Sequence, residues 1–157
     1  MANLIRSQVI ESLRVRFGQV RKLKGSESLF VVGEEAARIY FRYSRIFPNG
    51  RSFFGLREVD LLQLEGRNSF LCFLLDDGSP PLFIPFADFE EVFHSAQPAK
   101  DGQYKVQLFR EDTLQLYVAR QGRFNVEGYV GLRTLENSIA LVVSVNCPVF
   151  HTRRCKR

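Results

Sequence analysis

Arginine and aromatic side chains alternate along residues 38–45, which read RIYFRYSR. Successive side chains of a β-strand point to opposite faces. One face of a strand in this segment therefore carries the even-numbered residues Arg38, Tyr40, Arg42 and Ser44. Guanidinium groups bind phosphates and a tyrosine ring stacks on bases, so this face predicts a DNA-binding surface.

Three further arginines are predicted to extend this surface. The segment Pro48-Asn49-Gly50 is a strong turn signal and predicts a hairpin that returns through residues 52–54. Arg45 would lie at the mouth of this hairpin, and Arg51 and Arg57 near its ends. The alternative interpretation is an ordinary exposed sheet face, neutralised through cross-strand ion pairs by acidic residues from elsewhere in the chain.

A second basic group follows at residues 120–125, which read RQGRFN. Arg120, Arg123 and Asn125 have side chains suited to bidentate contacts with base edges. Gly122 would allow the backbone to approach a ligand closely. The alternative is a polar loop in which Asn125 caps a following helix.

One set of residues suggests catalysis. Some Mg²⁺-dependent nucleases, of the PD-(D/E)xK type, use an Asp together with a Glu or Gln that stands two positions before a Lys, because the metal and the Lys activate water. Asp77, Gln103 and Lys105 match that pattern in residue type. The alternative is a plain turn at Asp77 and an ordinary strand over Gln103 and Lys105.

Other catalytic and metal-binding patterns are absent from the sequence. It has two histidines, three separated cysteines and no glycine-rich phosphate loop, which predicts neither a zinc site nor a disulfide framework. We therefore expect no cofactor, with Mg²⁺ needed only under the nuclease alternative.

The charged residues are sorted into three blocks. Residues 1–57 carry 11 Lys and Arg against 4 acids, residues 58–119 carry 4 against 11, and residues 120–157 carry 7 against 2. A one-signed patch attracts polyanions, of which nucleic acid is the commonest. If the blocks reflect function, unpaired arginines should share one surface while the acidic block faces away; this set comprises Arg38, Arg42, Arg51, Arg120 and Arg123.

Length and composition indicate one globular domain, since the chain has 157 residues, of which 45% are hydrophobic and 25% charged. The free cysteines, the lack of a signal-peptide core and the lack of a bilayer-length apolar run lead us to expect a soluble, cytoplasmic protein with no membrane partner.

The hydrophobic pattern predicts helices over residues 4–17, 56–64, 87–93 and 125–130, and strands over 29–32, 38–45, 69–75, 82–84, 103–109 and 114–119. Short connections between strands favour antiparallel pairing. We therefore predict a single α+β domain over residues 1–135, built on a curved, mainly antiparallel sheet or pseudobarrel with flanking short helices. Residues 136–157 are predicted to form an apolar, strand-like segment and a basic C-terminal tail, or else the end of a truncated longer chain.

Four short segments resemble target-recognition domains of bacterial restriction-type endonucleases; they read FRYS (41–44), FFGLR (53–57), PLFIPF (81–86) and GRFN (122–125). Some such domains have a B3-like pseudobarrel that grips DNA. The resemblance implies a duplex-recognition module of a restriction-modification or defence system, with duplex DNA as its partner and a nuclease or ATPase subunit or domain as a further one. A third interpretation is a protein-interaction subunit whose exposed phenylalanines mark the interface.

Overall fold

The computed structural model of the chain describes residues 2–146, the last five by their backbone alone. The helices are α1 (Ala2–Phe17), α2 (Glu58–Leu62), α3 (Glu90–Ser95) and α4 (Arg133–Asn146). The strands are β1 (Val20–Lys22), β2 (Leu29–Val32), β3 (Ala37–Ser44), β4 (Arg51–Arg57), β5 (Ser69–Leu75), β6 (Leu82–Pro85), β7 (Gln103–Arg110), β8 (Leu114–Val118) and β9 (Gly122–Asn125). Single 3-10 turns follow β6 and β9.

The strands form two sheets. The first sheet has the order β1-β2-β3-β5-β6, in which only the β3–β5 pair is parallel, and the second sheet has the antiparallel order β4-β7-β8-β9. The prediction of a single, mainly antiparallel α+β domain is therefore confirmed. The sheets do not close into a barrel, so the pseudobarrel is not the arrangement adopted.

The first sheet is covered on both faces. Ile39 and Phe41 of β3 pack with Phe70 and Cys72 of β5 against Leu13 of α1 and other helical residues. On the opposite face, Tyr40 and Leu71 pack against the inner side chains of the second sheet. Burial on both faces explains the almost continuous apolar sequence of β2 and β5.

The second sheet is covered on one face. Its inner side chains, such as Leu56, Val106 and Leu116, are buried in the core between the sheets. The residues between them along the strands face the other way, as the alternating burial of β4 shows. This sheet therefore presents an outer face to solvent.

The predicted hairpin between β3 and β4 is wrong. The turn at residues 48–50 forms, and the backbone N–H of Phe47 donates to the carbonyl of Arg51 at 2.9 Å. However, β3 pairs with β2 and β5, whereas β4 crosses into the second sheet and pairs with β7. The turn thus links two sheets, because β3 is apolar enough to be a central strand.

Three other segments differ from the prediction. Val20–Lys22 forms β1, a strand that the pattern does not predict, and Gly122–Asn125 forms β9, while the helix predicted over residues 125–130 is only a 3-10 turn at Glu127–Tyr129. The apolar run from residue 138 is helical up to Asn146, because α4 places Leu135 and Ile139 one turn apart against the core. The basic tail from residue 147 lies outside the described residues. Within residues 2–146, no helix combines the length and apolarity needed to cross a membrane.

Candidate nucleic-acid interface

Two of the predicted DNA-contacting residues lie in the interior. Tyr40 has 0% of its surface exposed, and its hydroxyl accepts a hydrogen bond from the backbone N–H of Arg57 at 3.1 Å. Arg38 is 8% exposed, and its guanidinium donates to the carbonyl of Gln63 at 2.9 Å and lies 3.7 Å from the Glu35 carboxylate. The prediction that Arg38 and Tyr40 lie on an exposed, DNA-binding face is wrong, because β3 is a central strand that the second sheet covers.

Their environments change the pKa values of both groups. Burial raises the pKa of Tyr40 to about 12. Burial also lowers the pKa of the Arg38 guanidinium, which nevertheless remains protonated at neutral pH. Arg38 and Tyr40 therefore stabilise the fold, and among the even-numbered residues of β3 only Arg42 stays partly exposed.

The outer face of the second sheet is the strongest candidate site among the described residues. We define this outer face by its aromatic residues Phe53, Phe109 and Tyr117, its cations Arg51, Arg57, Lys105 and Arg123, and its amides Gln103, Gln107, Gln115 and Asn125. The predicted residues Arg51, Arg57, Arg123 and Asn125 thus share one surface. None of the four strands contains an Asp or a Glu.

The strand register arranges these side chains in rows. Phe53 pairs with Gln107, which pairs with Tyr117, which pairs with Arg123. In the next row, Arg51 pairs with Phe109, followed by Gln115 and Asn125. Directly paired residues point to the same side of a sheet, so aromatic, amide and cationic groups alternate across the outer face.

Two arginines converge on Phe109. The guanidinium carbon of Arg51 lies 4.5 Å from the centroid of the Phe109 ring, and that of Arg123 lies 4.0 Å from it. The ring is only 5% exposed. Cation–π contact holds both guanidinium groups at this end of the outer face, where they leave N–H donors for an anion.

A second aromatic group lies at the edge of the outer face. Phe53 is 45% exposed and contacts Phe47 edge to face, with ring centroids 5.2 Å apart. The guanidinium of Arg45, another predicted residue, lies 4.5 Å from the Phe47 ring. Phe53 is the most exposed large hydrophobic side chain that any described strand carries.

Carboxylates from α2 and from the surrounding loops partly neutralise these cations. Arg57 lies 3.7 Å from Asp60, Lys105 lies 2.7 Å from Asp101, and Arg123 lies 3.1 Å from Glu111. Arg51 has no carboxylate partner among residues 2–146. The pairs of Lys105 and Arg123 join exposed groups and are worth only about 0–1 kcal/mol each, so a phosphate can replace Asp101 and Glu111 at little cost, whereas Asp60 is buried and stays with Arg57.

The prediction that five unpaired arginines share one surface is wrong, because they are divided in the structure and Arg38 and Arg123 lie within ion-pair distance of Glu35 and Glu111. Arg51 and Arg123 lie together on the outer face, and Arg38 lies in the interior. Arg42 is on the first sheet, 5.5 Å from the Tyr40 ring. Arg120 lies in the β8–β9 turn with a positive φ of 68°. The charge blocks of the sequence therefore do not correspond to surfaces of the fold.

The side-chain amides of the outer face differ in the hydrogen bonds that they make within the protein. Gln115 accepts from Arg123 at 3.4 Å, and the Asn125 carbonyl accepts from the backbone N–H of Glu127 at 2.9 Å. Gln103 lies across Gly55, where any Cβ would collide with it. The Gln107 Oε1 atom is buried and has no hydrogen-bond partner within residues 2–146.

The three residues of the nuclease alternative do not come together. Asp77 lies 3.2 Å from Arg110, at the far end of β7 from Gln103 and Lys105. Arg110 and Lys105 are five residues apart along the strand, or about 17 Å. Since Lys105 is paired with Asp101, the set does not form a common metal site.

One group of potential metal ligands was not predicted. The ligand atoms of Glu65, Glu90 and His94 lie within 4.8 Å of one another, and His94 Nε2 is 3.0 Å from Glu65 Oε2. The hydrogen bond with Glu65 raises the pKa of His94. An exposed ion pair between His94 and Glu65 accounts for this arrangement.

Sequence reasoning missed the residues at the centre of the outer face, which are Phe53, Gln107, Phe109, Gln115 and Tyr117. The sequence does indicate a solvent-facing strand without acids here, because residues 103–109 alternate polar and apolar types and contain no Asp or Glu. The charge count over residues 58–119 obscured this pattern, because that block as a whole is acidic.

No protein-family model and no curated protein matches this sequence. The resemblance to target-recognition domains of restriction-type endonucleases therefore stays a prediction.

Proposed function

We propose that this chain is a nucleic-acid-binding module and that the outer face of the second sheet is its interface. The observation that carries the proposal is a solvent-facing, four-stranded sheet without acidic residues, on which Arg51 and Arg123 converge beside the exposed ring of Phe53. Cations supply affinity for phosphates, and exposed aromatic rings supply stacking for bases.

The arrangement of charge favours a polyanion over a small anion. Arg51 and Arg123 lie at one end of the outer face, whereas Arg57 and Lys105 lie toward its other end. These cations are spread along strands of about 25 Å, which suits a chain of phosphates. Repulsion among them is relieved when phosphates bind.

The test is fluorescence anisotropy with a labelled 20-nucleotide DNA, used both as a single strand and as a duplex. Binding that involves two to four of these cations gives log K a slope of about −1.4 to −2.8 against log salt for a single strand. Between 50 and 200 mM salt, affinity should therefore fall by about 7- to 50-fold. Absence of binding to both forms at the lower salt concentration would overturn the proposal.

A matched pair of variants locates the interface. Arg51→Gln with Arg123→Gln removes two cations from the outer face and should weaken binding at least tenfold. Arg14→Gln with Arg133→Gln removes the same charge from α1 and α4, on the opposite side of the molecule, and should change affinity less than twofold. Equal losses from both pairs would place binding elsewhere.

DNA as the partner, and a place in a restriction or defence system, rest on the sequence alone. If neither the single strand nor the duplex binds, the alternative of a protein-interaction subunit is favoured, and the exposed Phe53 would mark its interface.

A further inference from the structure

We infer that the outer face binds single-stranded nucleic acid, with unpaired bases stacked on its aromatic rings, in preference to a duplex. This inference rests on the proposed function and specifies its ligand. It differs from the duplex DNA that the sequence suggested.

The width of the second sheet argues against reading a duplex. Three strand spacings of about 4.8 Å make the sheet about 14 Å wide before side chains are added. The major groove of B-DNA is about 12 Å wide and admits a helix or a two-stranded ribbon. A four-stranded face therefore meets a duplex only at its phosphates, where Phe53 would have no partner.

The aromatic residues are placed to receive unpaired bases. Phe53 and Tyr117 are in the same row, two strands apart and on either side of Gln107, so they are separated by about 10 Å. Some RNA-binding modules stack two or three unpaired bases on aromatic residues of a four-stranded sheet. The contact with Phe47 fixes the orientation of the Phe53 ring without covering it.

The cations border this row as a nucleic-acid backbone requires. Arg123 ends the row that begins with Phe53, and Arg51 lies next to Phe53 on the same strand face. Lys105 lies two residues from Gln107 on the other side. Bases on the row would thus be flanked by guanidinium and ammonium groups on both sides. Unpaired DNA and RNA share this chemistry, so both belong in the test.

The experiment compares four ligands of one sequence at constant salt, namely single-stranded DNA, single-stranded RNA, duplex DNA and duplex RNA. We expect at least one single strand to bind tenfold or more tightly than either duplex. Phe53→Ala should weaken single-strand binding by about 5- to 150-fold, the range for loss of one base–aromatic stack. Phe53→Tyr, which keeps the ring, should restore it.

A control variant and a second readout separate stacking from folding. Leu62→Ala, which shortens a side chain on α2 that is 57% exposed against 45% for Phe53, should leave affinity unchanged. Circular dichroism melts should show all variants folded, because Phe53 lies at the surface. Quenching of base-analogue fluorescence on binding to the wild type, lost in Phe53→Ala, would identify the stack.

Duplex binding equal to or tighter than single-strand binding would overturn the inference while the proposed function stands. Single-strand binding that is insensitive to Phe53→Ala would also overturn it. Absence of binding to all four ligands would instead overturn the proposed function.

Discussion

Replacing Tyr40 by Phe tests whether strand β3 supports the fold or contacts a ligand. The substitution removes one oxygen atom and keeps a ring that is 0% exposed between the two sheets. The hydroxyl accepts a hydrogen bond from the backbone N–H of Arg57 at 3.1 Å, which ties β3 of the first sheet to β4 of the second. Tyr40→Phe removes that link together with the interaction of the hydroxyl with the buried Asp60 carboxylate.

The expected cost follows from this contact. A typical intramolecular hydrogen bond contributes about 0.5–1.5 kcal/mol, and an unsatisfied buried donor costs about 1–3 kcal/mol. Arg57 lies at the end of its strand with an exposed side chain, so water can partly satisfy its N–H. We therefore expect a loss of about 1 kcal/mol in the free energy of unfolding, or roughly 2–4 °C in Tm for a domain of this size.

Denaturant titration followed by circular dichroism measures this cost, with Tyr117→Phe as the matched control. The Tyr117 hydroxyl accepts a longer bond of 3.4 Å, from the backbone N–H of Arg120 at a partly exposed site, so its loss should cost less than about 0.5 kcal/mol. Nucleic-acid affinity should be unchanged in Tyr40→Phe. Unchanged stability together with a large loss of affinity would refute the structural role of Tyr40.

Three further predictions concern stability. Leu135→Ala should lower the free energy of unfolding by about 2–5 kcal/mol in chemical denaturation. Leu141→Ala, on the exposed side of α4, should lower it by less than about 0.5 kcal/mol. Equal losses would contradict the packing of α4 against the first sheet. Gln107→Leu should leave stability unchanged or raise it by up to about 1 kcal/mol, because its buried carbonyl has no partner to lose within residues 2–146; a clear decrease would reveal one. The Tyr129 hydroxyl donates to Asp88 at 2.6 Å, which raises the pKa of Tyr129 to about 12. Because the folded state holds this proton more tightly than the unfolded state, the free energy of unfolding should fall between pH 10 and pH 12. It should fall less steeply in Tyr129→Phe. Equal pH dependence in the variant and the wild type would argue against the Tyr129–Asp88 bond.

The fold class could be predicted because local patterns determine most of its elements. The helix that begins the chain, the apolar strand at 69–75 and the alternating strand at 103–109 each form near the predicted residues. Pairing was harder to predict, since the turn at 48–50 is compatible with a hairpin and with a crossing between sheets. Only the tertiary burial of β3 decides between them.

The candidate site was predicted only in part, because local patterns do not show which strand faces are buried by tertiary packing. Alternation places Arg38 and Tyr40 on one face of a strand, but it does not show whether that face meets water or a second sheet. Conversely, Arg123 and Asn125 were identified by residue type alone, and Arg51 by its place in a hairpin that does not form. The contact of Arg51 with Phe109 depends on the pairing of β4 with β7, which joins segments about 50 residues apart in sequence, and the contact of Arg123 depends on the pairing of β9 with β8.

The most direct test of the proposed interface is to map the binding surface by NMR. Backbone amide shifts would be followed while an unlabelled single-stranded oligonucleotide is added to ¹⁵N-labelled protein. We expect the largest changes in β4, β7, β8 and β9, centred on Phe53, Gln107 and Arg123, with little change in α1 and α4. Changes centred on the helical side, or an unchanged spectrum at saturating ligand, would contradict the assignment of the outer face as the interface.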